Sequence, residues 1–303
     1  MSDLSVNIGN LKLKNPVLTA SGTFGYGEEY SPYFDLNRLG GLVTKTITLK
    51  PRAGNAFPRI AETAAGMLNS IGLANVGVEA FIKDKLPYLR RLDTAIVVNV
   101  AGFTVDEYGE VVRRLEDAEG INAYEINVSC PNVKEGGVIF GSNPMITARI
   151  TEMIKKLTSR HVMIKLTPNV THIEEMAIAV EKAGADSVSL INTMIGMAVD
   201  VDTRKPKIAS VKAGLSGPAI KPIAIAKVFD VAQHTKLPII GLGGIMNYRD
   251  VLEFLITGAS GIQVGTANYM EPDICSRIID DLNHYCEKNK IAQIRQIIGS
   301  LKI

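Results

Sequence analysis

The chain has 303 residues, of which 46% are hydrophobic and 21% charged, a balance that supports a sizeable buried core and excludes a disordered or fibrous chain. Its 33 basic and 31 acidic residues leave a net charge of +2, which gives no global electrostatic pull toward nucleic acid. The three cysteines, Cys130, Cys275 and Cys286, form no C-x-x-C pair, so no zinc ribbon or iron-sulfur motif of ordinary spacing is written into this chain, and the odd, low count fits a reducing cytoplasm.

Met1 to Asn7 carry no basic segment followed by an apolar run, and no stretch approaches ~18 uninterrupted apolar residues, so neither export nor membrane spanning is expected. Eight short apolar segments then recur: Pro16 to Ser21, Gly41 to Thr46, Ala95 to Val100, Ala123 to Val128, His161 to Leu166, Ser187 to Asn192, Pro238 to Gly243 and Gly261 to Gly265. Their near-continuous apolarity suits parallel strands covered on both faces. Helical patterns lie between most of them. Ile150, Met153, Ile154 and Leu157 follow the i, i+3, i+4, i+7 rule, as do Ile173, Met176, Ala177 and Val180, and a terminal helical pattern runs from Ile274 to Tyr285. Gly184 and Gly258 stand where helix C-termini need a left-handed residue. Strand starts recur about every 35 residues, the length of a βαβ repeat.

Eight such units predict an α/β fold, a single (β/α)8 TIM barrel occupying residues 1–303, with a doubly wound open sheet as the alternative. The intervals from 41 to 95 and from 187 to 238 are long and predict insertions at the C-terminal mouth of the barrel. No Ser/Pro/Gly-rich linker or charge block marks a second domain.

Polar residues gather at the strand ends: Ser21, Lys45, Asn99, Asn127, Lys165 and Asn192, with Gly243-Gly244 and Gly265-Thr266 after the last two strands. Strand ends border loops and are often polar for that reason alone, but in a barrel these residues converge on the face where active sites are built. Glycines after strands seven and eight stand where barrels frequently bind phosphate through backbone N–H groups. There is no G-x-x-x-x-G-K-[ST] loop and no G-x-G-x-x-G fingerprint. Beyond the fourth strand, Cys130 is a candidate base, with Gly136-Gly137 in a plausible lid; Cys275 and Cys286 read as inert helix residues. His161, His172, His234 and His284 show no metal-ligand spacing and read as structural or surface residues; no metal site is expected.

Over essentially its whole length the chain resembles the class 1 dihydroorotate dehydrogenases. The resemblance rests on Asn15-Pro16 with Ala20-Ser21-Gly22, Lys45-Thr46, Asn69-Ser70-Ile71-Gly72-Leu73, Asn127-Val128-Ser129-Cys130-Pro131-Asn132, Lys165-Leu166-Thr167-Pro168, Ile191-Asn192-Thr193, Gly243-Gly244 and Gly265-Thr266-Ala267. It implies oxidation of dihydroorotate to orotate in pyrimidine biosynthesis, with Cys130 as the base at C5 and FMN receiving hydride from C6. A serine in place of Cys130 would resemble the membrane-associated class 2. The resemblance implies that Ser21, Lys45, Thr46, Asn99, Asn127, Lys165, Ile191, Gly217, Gly243, Gly244, Gly265 and Thr266 hold FMN. It further implies that Lys45, Asn69, Ser70, Ile71, Gly72, Leu73, Asn127, Asn192 and Thr193 hold the substrate.

Within class 1, Phe24-Gly25-Tyr26-Gly27, the stretch from Pro131 to Gly137 and the stretch from Leu215 to Pro222 resemble the B subtype. That subtype implies a homodimer at the centre of a heterotetramer, whose partner subunit carries FAD and a [2Fe-2S] cluster and delivers electrons to NAD+. Lys212-Ala213-Gly214 departs from the two glycines usual before Leu-Ser-Gly in that subtype, which puts the local loop geometry in question. The alternatives are an A-type, fumarate-dependent enzyme without a partner, a flavin-free barrel lyase using Lys165 or Lys45 as a Schiff base, and a non-catalytic scaffold subunit.

Overall fold

A computed structural model describes residues 2–128, 134, 135 and 138–303. Eight parallel strands close into a barrel in which each lies beside its predecessor in the chain: β1 (Val17–Thr19), β2 (Gly41–Val43), β3 (Ala95–Val100), β4 (Ala123–Asn127), β5 (His161–Lys165), β6 (Ser187–Leu190), β7 (Ile239–Leu242) and β8 (Gly261–Val264). Every strand read from the apolar segments is present, and the closed ring excludes the open doubly wound sheet.

Helices cover the outer face: α1 (Val105–Glu116), α2 (Pro144–Leu157), α3 (Ile173–Lys182), α4 (Lys221–His234), α5 (Tyr248–Thr257) and α6 (Ile274–Lys288). Their sequences explain both their bounds and their orientation. In α1 the Thr104 side chain caps the first turn by accepting from the Glu107 N–H, and Val105, Tyr108, Val111, Val112 and Leu115 form the buried stripe. Each such fully buried aliphatic side chain contributes roughly 1.5–3 kcal/mol. At the start of α5, Asn247 and Asp250 form a reciprocal capping box. Gly184 and Gly258 have φ values of +88° and +126°, as the punctuation of the sequence predicts. After β2 the outer layer is the helical stretch 78–89, and the exception to the repeat follows β1, where the short 3-10 turns Glu28–Tyr30 and Leu36–Arg38 replace a full helix.

The two long intervals do more than lengthen the mouth. Ile60–Thr63 and Gly66–Asn69 from the first join Met194–Gly196 and Ala213–Ser216 from the second in one four-stranded antiparallel sheet. Gly214 pairs with Asn69 and Leu215 with Leu68, so segments from distant parts of the chain are locked in register above the barrel. At the opposite end, the hairpin Val6–Ile8 with Leu11–Leu13 buries alternate side chains. No helix among the described residues is long and apolar enough to cross a membrane.

Candidate active site at the barrel mouth

Side chains alternate along a strand, and parallel register keeps paired residues on the same face. Asn99 pairs with Glu125, Lys165 with Asn127 and with Ser189, and Leu242 with Gln263. The inward set therefore includes Asn99 on β3, Glu125 and Asn127 on β4, Lys165 on β5, Ser189 on β6 and Gln263 on β8. Barrel interiors are usually filled by branched apolar side chains; this one is polar in its upper half.

Above these residues lies a cavity of about 550 Å3. Ser21, Lys45, Thr46, Asn127, Lys165, Ile191, Gly217, Gly243, Gly244, Gly265 and Thr266 line it, as do Asn69 to Leu73, Asn192 and Thr193. The structure thus brings together every site residue read from the sequence except two. Asn99 is wholly buried beneath the cavity, where its Nδ2 donates to Glu125 Oε2. Cys130, with Ser129, Pro131, Asn132, Gly136 and Gly137, lies outside the described residues.

The floor of the cavity is an ionic network. Lys165 is 4% exposed, and its Nζ lies 3.3 Å from Glu125 Oε2, 3.3 Å from Gln263 Oε1 and 3.5 Å from Ser21 Oγ. Glu125 is fully buried and also accepts from Ser189 Oγ at 2.8 Å and from Gln263 Nε2. Glu125, Gln263 and Ser189 were not among the residues expected at the site. Their signal is a polar residue at an inward position of an apolar strand, as in Ala123-Tyr124-Glu125-Ile126-Asn127 and Gly261-Ile262-Gln263-Val264.

The walls supply different chemistry. Asn192 Nδ2 donates to Asn127 Oδ1 at 3.4 Å, and Asn192 Oδ1 accepts from the Thr193 N–H at 2.8 Å, giving an amide-rich edge. Asn55 Nδ2 donates to Ser70 Oγ at 2.7 Å and steadies the Asn69 to Leu73 segment. Half-buried Lys45 has its pKa pushed below the ordinary lysine value, chiefly by burial; the charge of Arg59 acts in the same direction and that of Glu29 against it. Lys45 is therefore a cation that an anion entering the cavity would stabilise.

Gly243 and Gly244 have φ values of +128° and +74°, backbone conformations that side chains rarely adopt, and they bare the main chain to the cavity. Gly241 in the same motif serves packing instead, because a Cβ there would sit 2.4 Å from Phe254 Cδ1, so its absence admits α5 against β7. The Ala213 departure is accommodated. Its methyl is buried with Leu68 and Ile208, whereas a Cβ at neighbouring Gly214 would meet Thr193 Oγ1 at 2.2 Å.

The fold and site define a (β/α)8 barrel enzyme whose mouth combines a buried cation, an amide-rich wall and a glycine-lined recess. The family model for dihydroorotate dehydrogenase matches residues 3–286. The chain belongs to the dihydroorotate dehydrogenase family. Proteins named dihydroorotate dehydrogenase B (NAD(+)), catalytic subunit, from Geotalea daltonii and Geobacter sulfurreducens are each 50% identical over 301 residues, covering 99% of this chain and 99% of the relative. The protein of that name from Thermoanaerobacter pseudethanolicus is 52% identical over the same span and coverage.

Proposed function

We propose that this chain is the catalytic, FMN-binding subunit of an NAD+-linked dihydroorotate dehydrogenase, acting as one domain over residues 1–303 in the cytoplasm. The observation that carries the reading is the convergence of Lys165, Lys45, Asn127, Asn192 and the Gly243-Gly244 backbone on one cavity, in a chain about half identical to relatives bearing that name over their full length.

The residues fit a flavin mononucleotide. Asn99 Oδ1, beneath the cavity floor, is buried with no hydrogen-bond partner among the described residues, an unmet acceptor next to the site. A Cβ on Gly22 would meet no atom within 4 Å, and one on Gly265 only Ala20 Cβ at 3.7 Å, so both leave cavity space open to a bulky ligand. Gly243, Gly244, Gly217, Gly265 and Thr266 would hold its phosphate, and Ser21, Lys45, Thr46, Asn99, Asn127, Lys165 and Ile191 its ring and ribityl chain. Bound FMN supplies a two-electron acceptor for the hydride leaving C6 of dihydroorotate.

The chain's own residues do the rest. Cys130, as thiolate, takes the C5 proton, and the C5–H electron pair becomes the new C5=C6 bond. Lys45 neutralises the substrate carboxylate. Asn69, Ser70, Ile71, Gly72, Leu73, Asn127, Asn192 and Thr193 grip the pyrimidine, the asparagine amides matching its alternating donors and acceptors without adding net charge. Lys165 places positive charge where reduction builds negative charge. As the relatives' name of catalytic subunit suggests, the electrons pass to a partner subunit, here read as carrying FAD and [2Fe-2S], in a heterotetramer built on a homodimer of this chain.

Anaerobic mixing of dihydroorotate with the FMN-loaded protein tests the reading. The flavin absorbance should bleach, and steady NAD+ reduction should require the iron-sulfur subunit. Cys130→Ala should retain its flavin and bleach at least about 10²-fold more slowly. A protein that purifies without flavin, or flavin that dihydroorotate leaves oxidised, would overturn the assignment.

A further inference from the structure

Glu125 belongs to none of the roles above, yet it is the most completely enclosed charged side chain of the barrel. It is 0% exposed and does not line the cavity. Four side-chain donors converge on its two oxygens: Ser189 Oγ and Gln263 Nε2 on Oε1, and Asn99 Nδ2 and Lys165 Nζ on Oε2. That set suits a carboxylate, which is acceptor-only, rather than a carboxylic acid, whose own O–H would face donors. The network is also directional. Gln263 gives its Nε2 to Glu125 and its Oε1 to Lys165, so it ties anion and cation in one closed arrangement.

Among the described residues, the buried lysine at the floor of the cavity is paired with a carboxylate beneath it. Removing one partner of such a pair leaves an uncompensated buried charge, whereas removing both is far better tolerated. We propose that Glu125 is the positioning residue and counter-ion of Lys165, fixing the ammonium against the cavity floor and setting how much positive charge it presents to bound FMN. The inference rests on the FMN reading above. Lys165 touches the ligand site; Glu125 lies beneath it and acts through Lys165 and, by its bond to Asn99 Nδ2, through Asn99, with Gln263 and Ser189 holding the carboxylate in place.

The test is the reduction potential of bound FMN in Glu125→Gln, measured by anaerobic titration against reference dyes. Glutamine preserves size and one acceptor oxygen but removes the negative charge, so the ammonium is less compensated and reduced flavin gains. The expected result is an upward shift equivalent to at least a tenfold tighter relative binding of reduced FMN, about 30 mV for a two-electron couple. Glu125→Asp, which keeps the charge, should stay nearer wild type. A Glu125→Gln protein that holds FMN at the wild-type potential, or at a lower one, overturns the proposal. Should Glu125→Gln fail to fold, Glu125→Gln with Lys165→Met decides: recovery of folded protein supports the pairing, and failure of the double variant to recover overturns it. Wild-type protein that binds no FMN would instead defeat the functional reading, so the two failures are distinguishable.

Discussion

Cys275 shows how burial alone disarms a thiol. It is 0% exposed, its Sγ contacts Asn268 Oδ1 at 3.4 Å, and burial pushes its pKa up to about 12. Burial also raises Cys286. The thiolate is the reactive form, so both thiols are held inert in the folded chain. A thiol reagent applied to the native protein should therefore leave Cys275 and Cys286 unlabelled, with both reacting after unfolding. Mass mapping that finds Cys275 or Cys286 modified in the folded protein would contradict this. Individual residues were legible unevenly. Lys165 and Asn127 announce themselves because each ends an apolar strand. Glu125 and Gln263 sit deeper, where a polar letter in a hydrophobic segment reads as an interruption until strand register shows that both point inward. The orphan acceptor of Asn99 has no sequence signature at all, because it depends on what surrounds the side chain in three dimensions.

At the scale of elements, the barrel strands were legible because burial on both faces selects continuous apolar segments, and that selection acts on each strand separately. The sheet above the mouth was not. Its hairpin Ile60–Thr63 with Gly66–Asn69 has partly exposed strands, and its remaining partners arrive more than a hundred residues later. Such pairing is decided by long-range packing, which periodicity does not report. Gly66 is the close point of that packing, since a Cβ there would fall 2.0 Å from the Ser216 carbonyl oxygen. Gly66→Ala must push the hairpin away from Ala213–Ser216, and strain at such a point costs on the order of 1–3 kcal/mol. Because the hairpin carries Asn69 and leads into Ser70 to Leu73, the expected outcome is a several-fold rise in KM for dihydroorotate with the barrel's circular dichroism unchanged. Wild-type KM in this variant would mean that the sheet does not set the substrate wall.

Across the whole molecule, the barrel interior is polar at two heights, and the lower one links global stability to pH. His161 opens β5 and is 2% exposed at the end of the barrel remote from the cavity. Asn10 Oδ1 lies 2.6 Å from its Nδ1, which places the ring proton there, and Ser187 Oγ lies 2.7 Å from Nε2, where the hydroxyl donates. Both ring nitrogens are thus satisfied by the neutral imidazole. Burial lowers the pKa from 6.5 to about 4; the positive charge of Lys155 adds to the shift and the negative charge of Asp186 opposes it. The unfolded chain therefore takes up a proton between pH 6.5 and about 4 that the folded barrel refuses. Stability associated with His161 is complete above pH 6.5 and is lost as pH falls through this window, by up to about 1.4 kcal/mol per pH unit. His161→Gln offers neutral hydrogen-bonding groups and cannot titrate. Urea unfolding of both proteins at pH 7, 6 and 5 should show the wild type losing stability more steeply than the variant, while the carboxylates and the other histidines contribute equally to each. Parallel pH profiles for the two proteins would show that His161 is not the group through which acid destabilises the barrel.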